Sequence, residues 1–144
     1  MRFCDFAVVF YETFSSFDMN FFQRRKILKN INYLDLIPIR LMEDQLTEDS
    51  RIDILLPRFK RRFWREFSRN SKKGEYIHVH LDEIGSAIWL LIDGQKKVMK
   101  ICNELTEMKA EKLQPSEETE KRVTGFLSIL YRERYISFRE ILPK

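Results

Sequence analysis

Two histidines stand two residues apart in the run Tyr76-Ile77-His78-Val79-His80-Leu81. On a strand that spacing puts both imidazoles on one face. Such a pair can hold a metal or make a contact sensitive to pH near neutrality. Zinc sites take at least three protein ligands, and no third ligand type lies close in sequence. A half-exposed strand face is the simpler reading. The two cysteines, Cys4 and Cys102, are far apart and make neither a disulfide framework nor a zinc site. Four scattered glycines form no phosphate loop and no dinucleotide pattern. No Gly-x-Ser-x-Gly elbow is present. The carboxylates fall mainly in turns and helix starts, where capping explains them. The chain reads as a binding module with no cofactor, rather than as an enzyme.

The charge is uneven. Lys and Arg number 26 against 22 Asp and Glu, but residues 58–73 hold eight cations, from Arg58 to Lys73, against Glu66 alone. Phe59, Phe63 and Phe67 recur there at i, i+4, i+8, which predicts a short basic amphipathic helix. Its cations are either simply solvated or face nucleic acid, a membrane surface or a protein. Lys96, Lys97 and Lys100 stand at the start of a later helix, where positive charge opposes the macrodipole. Either that cost is carried or an anion sits there. No apolar run is long enough for a transmembrane helix, and so few cysteines make a reducing cytoplasm the default setting.

The elements that position these residues follow from periodicity. Residues 36–42 and 52–56 alternate and predict a hairpin with a long turn between; 76–81 predicts a third strand. Ile84, Ala87, Ile88, Leu91 and Ile92 recur at helical spacing, with Asp82 as N-cap and Gly94 as a left-handed C-terminal residue. Val98, Ile101, Cys102, Leu105 and Met108 mark a second helix, with Cys102 a small buried hydrophobe. Ser116 opens a third, with core face Val123, Phe126, Leu127 and Leu130. Gly125 lies opposite that face and costs about 1 kcal/mol relative to Ala. Residues 135–138 predict a last strand. The fold class is α+β and winged-helix-like: a small antiparallel sheet followed by a three-helix bundle. Residues 33–144 form the domain. Residues 1–32 are an extension, either partly disordered or translated from upstream of a start at Met19.

The run Leu81-Asp82-Glu83-Ile84-Gly85-Ser86-Ala87-Ile88-Trp89, with Asp93-Gly94 after it, resembles the central motif of the PqqD family, named for a protein of pyrroloquinoline quinone (PQQ) biosynthesis. The resemblance covers roughly residues 33–138. The lysines at 96, 97 and 100 depart from it, because relatives carry a Ser or Thr cap and acidic residues there. The resemblance implies a bacterial peptide chaperone, or RiPP recognition element, that binds a precursor or leader peptide. It also implies a partner enzyme, such as a radical-SAM protein, to which the peptide is presented.

By that resemblance the peptide adds as a strand beside Ile77, His78, Val79 and His80, with Arg122, Phe126 and Ile129 on the third helix as the other wall. Val79 is read as supplying an edge N–H. The open edge also allows two copies to pair. The alternatives are a winged helix-turn-helix DNA-binding protein, with Lys96, Lys97 and Lys100 on phosphates, and a structural or membrane-peripheral interaction domain. The acidic start of the third helix (Glu117, Glu118, Glu120) counts against DNA.

Overall fold

The computed structural model describes residues 21–57, 76–109 and 116–142. The expectations for residues 1–20 and for the basic segment 58–73 fall outside them. The described chain is α+β, with four α-helices and two small antiparallel sheets. In order these are α1 (Phe21–Asn30), β1 (Pro38–Arg40), β2 (Glu43–Leu46), β3 (Ile52–Pro57), β4 (Tyr76–His80), α2 (Glu83–Leu91), α3 (Val98–Met108), α4 (Ser116–Arg132) and β5 (Ile136–Phe138). The chain divides into two compact units: residues 42–86, and residues 1–41 with 87–144.

The first unit is built on the sheet β2-β3-β4. Here the hairpin differs from expectation. Residues 43–50 were read as a turn, but β2 occupies 43–46 and pairs with β3, so only residues 47–50 turn. Thr47 closes that turn: its N–H donates to the Arg51 carbonyl, and its hydroxyl accepts from the Arg51 N–H. Ser50 takes a positive φ of 59° there. A short acidic strand at a sheet edge has no apolar alternation to betray it. Its charges suit an edge that must not recruit a neighbour.

In the second unit β1 pairs with the C-terminal β5, not with β3 as the sequence suggested. The N–H groups of Leu41 and Arg139 donate to Tyr135 and Ile37, so the residues bonded across this ladder are odd-numbered. Pro38 therefore falls where no N–H is required, which is why an edge strand tolerates it. Helices α3 and α4 pack together through Val98, Ile101, Cys102 and Leu105 on one side and Val123, Leu127 and Leu130 on the other, all buried. Phe138 completes this core, with Tyr33 and Tyr131 ring centroids 5.6 and 5.2 Å away. Phe126 is only half-buried, so the core face of α4 is narrower than predicted; Met108 on α3 is exposed.

The N-terminus of helix α2 is capped as expected: Asp82 Oδ1 accepts from the Gly85 N–H at 2.6 Å. Gly94 has the left-handed φ expected, +77°, but lies three residues beyond Leu91, the last residue of the helix. The helix is not one-faced, however. Ser86, Ala87, Ile88, Trp89 and Leu91 are all buried, with Leu90 exposed. The Arg40 guanidinium lies 5.9 Å from the Trp89 ring, a cation–π distance.

Candidate functional site

The four strand residues of the expected site lie on β4, at one edge of the three-stranded sheet. Its register against β3 pairs Asp53 with His80, Ile54 with Val79, Leu55 with His78 and Leu56 with Ile77. The Leu81 N–H donates to the Ile52 carbonyl, and by the same register those two residues are directly opposite. In an antiparallel ladder bonded and non-bonded pairs alternate. Leu81, Val79 and Ile77 therefore turn their backbone polar groups inward to β3. Tyr76, His78 and His80 turn theirs outward. This corrects one expectation: the edge N–H groups belong to His78 and His80, while that of Val79 serves the existing ladder. Among the described residues no partner strand lies along the outer edge of β4.

Side chains sort by the same alternation. Ile77 and Val79 lie on one face with Ile52, Ile54 and Leu56 of β3. Ile54 is fully buried, whereas Ile77 is 47 % exposed. His78 and His80 lie on the other face, with Asp53 between them. Asp53 Oδ1 is 2.7 Å from His80 Nδ1, and Oδ2 is 3.4 Å from His78 Nδ1. The carboxylate is 8 % exposed and the imidazoles are 45 % and 78 % exposed. A non-bonded antiparallel pair brings side chains closest, which explains the short His80–Asp53 contact. Opposite an ionised carboxylate, which accepts and does not donate, the 2.7 Å contact requires the hydrogen on His80 Nδ1. Among the described residues no group of three His, Cys, Asp or Glu is placed to hold a metal.

Asp53 was missed by sequence reasoning as a site residue. Its one signal was a carboxylate inside the apolar run Ile52-Asp53-Ile54-Leu55-Leu56. Ser86 was missed too. Its hydroxyl accepts from the buried Ile52 N–H at 2.9 Å, satisfying the first residue of β3 at the end of the ladder.

The three helix residues lie on α4, in the other unit. Arg122 and Ile129 are exposed and Phe126 is half-buried. A Cβ added at neighbouring Gly125 would meet nothing within 4 Å.

Two of the lysines at the start of α3 have partners within the chain. Lys96 Nζ lies 2.8 Å from Glu104 Oε2 and 3.9 Å from Asp93, and Lys97 Nζ lies 3.3 Å from Asp35. The Glu104 carboxylate holds the Lys96 ammonium above its ordinary pKa. Burial alone would raise the Asp93 carboxyl, but the N–H groups of Gln95 and Lys96 and the Lys96 charge outweigh it and hold it below the usual range. The first helical N–H, of Val98, donates to the Leu36 carbonyl. No external anion is needed to account for Lys96 and Lys97. Among the described residues no helix is long and apolar enough to cross a membrane.

Residues 70–136 match the family model of Coenzyme PQQ synthesis protein D (PqqD). The match runs from just before β4 into β5 and contains all seven expected site residues. This stretch is PqqD-like, and that family comprises non-catalytic accessory proteins of PQQ biosynthesis. No curated protein and no solved structure matches the chain.

Proposed function

From a PqqD-like stretch over residues 70–136, we propose that this chain is a non-catalytic peptide-binding module. A precursor or leader peptide adds as a strand along the outer edge of β4 and is presented to a modifying enzyme, such as a radical-SAM protein, in the cytoplasm. The observation that carries the reading is the outward set of backbone groups at His78 and His80, on an edge without Pro or Lys to blunt it. Backbone pairing supplies affinity, and the alternating side chains of β4 supply selectivity. Arg122, Phe126 and Ile129 are carried as a second set of contacts.

The test is an amide-shift titration with short peptides translated from small reading frames flanking the gene, with a DNA duplex as competitor. Shifts at His78 and His80 that persist at high salt support strand addition. Shifts at Lys100 and its neighbours with duplex alone, lost at high salt, contradict it, because phosphate contacts are salt-sensitive. His78→Pro removes an outward donor and is expected to weaken binding. Val79→Pro breaks the β3–β4 ladder itself. Arg122→Ala with Ile129→Ala tests the helix set separately.

A further inference from the structure

Strand addition leaves open which side chains the peptide brings. The two faces of β4 differ enough to name them. A strand paired with the outer edge sends alternate side chains to the two faces, whichever way it runs. On one face they meet Ile77 and Val79, the first nearly half exposed and both continuous with buried Ile54. That row takes apolar residues.

On the other face they meet His78 and His80. Asp53 occupies the Nδ1 side of His80 at 2.7 Å and faces that of His78 at 3.4 Å. With its hydrogen on Nδ1, a neutral imidazole presents Nε2 as a bare acceptor. A carboxylate that engages one ring nitrogen thus fixes what the other can do. Among the described residues, the register places three further charged side chains on this face: Glu43 of β2, and Arg51 and Asp82 at its far end. The face next to the edge therefore offers acceptors.

We propose that β4 selects peptides alternating apolar residues with hydrogen-bond donors such as Gln or Arg, and that Asp53 is the positioning residue for this selectivity. The proposal rests on the strand-addition reading and goes beyond it in naming the peptide's chemistry.

The experiment uses the full chain in mildly alkaline buffer. The probes are short synthetic segments on a soluble carrier, alternating Val with one varied residue: Gln, Arg, Ala or Glu. Gln and Glu are nearly the same shape but differ both in donating and in charge, and a double histidine-to-leucine variant separates the two effects. The Gln and Arg segments are expected to bind more tightly than the Glu segment by roughly three- to tenfold where the varied residue faces His80, the range of one net hydrogen bond. Asp53→Asn frees the imidazole to present a donor and is expected to shrink or reverse the Gln-over-Glu ratio. His78→Leu with His80→Leu is expected to abolish the ratio while the Val rows still bind. Equal binding of Gln and Glu segments, with β4 amides shifting for both, overturns the selectivity and leaves strand addition standing. Binding of any segment without shifts at His78 and His80 overturns strand addition itself.

Discussion

Ser86 and Cys102 show how much a single buried atom decides. The Ser86 hydroxyl is the partner of the Ile52 N–H. Ser86→Ala leaves that buried donor unpaired, and the expected loss is about 1–3 kcal/mol of stability in denaturant unfolding. Cys102 is different. Burial, assisted by the charge of Glu120, pushes its thiol up to about 11. A raised folded-state pKa means the folded chain keeps a proton that the unfolded chain releases. The stability contribution is intact below the unfolded thiol's pKa and is lost as pH rises toward 11. In a Cys4→Ser background Cys102 is expected to resist alkylation near neutral pH until the protein unfolds, and Cys102→Ala is expected to flatten the alkaline loss of stability. Rapid labelling of the folded variant contradicts this. The burial of Cys102 was legible from helical spacing. The role of Ser86 was not, because a serine inside an apolar helix gives no sign of which distant N–H it serves.

At the scale of elements, strong periodicity located α2, α3, α4 and β4 closely. The failures lie where patterns are short or shared. Strand β2 is four residues of mostly polar sequence, so the hairpin partner of β3 was assigned to the more apolar β1. That strand instead pairs with β5 nearly a hundred residues later, a contact that no local period encodes. Helix α2 buries more than the apolar stripe from Ile84 to Ile92: Trp89 and Ser86 fall off that stripe, yet both are buried. Helix α4 carries a glycine that the packing does not require. Gly125 needs no space, since an added Cβ meets nothing within 4 Å. Gly125→Ala is expected to stabilise the protein by about 0.5–1 kcal/mol in thermal unfolding. If stability is unchanged and peptide binding falls, Gly125 serves close approach of the ligand instead.

At the scale of the whole molecule, the family resemblance was visible in one helix and its flanks, and the family match covers residues 70–136. The candidate strand was legible from alternation, including its two histidines. Two things were not. Which backbone groups face outward depends on register, and register gave the edge to His78 and His80 in place of Val79. The Asp53 clamp depends on the same cross-strand pairing. Charge was the weaker guide: of the lysines that suggested an anion, Lys96 and Lys97 meet carboxylates of the chain itself.

A peptide that closes the outer edge of β4 must change hydrogen exchange along that strand, measured with and without a saturating peptide. In the free protein the amides of Ile77 and Val79 are expected to be protected by β3, and those of His78 and His80 to exchange rapidly. Peptide is expected to slow His78 and His80 selectively, at high salt as well as low. Protection of His78 and His80 already present in the free chain, or no change there on saturation, would mean that no peptide adds at this edge.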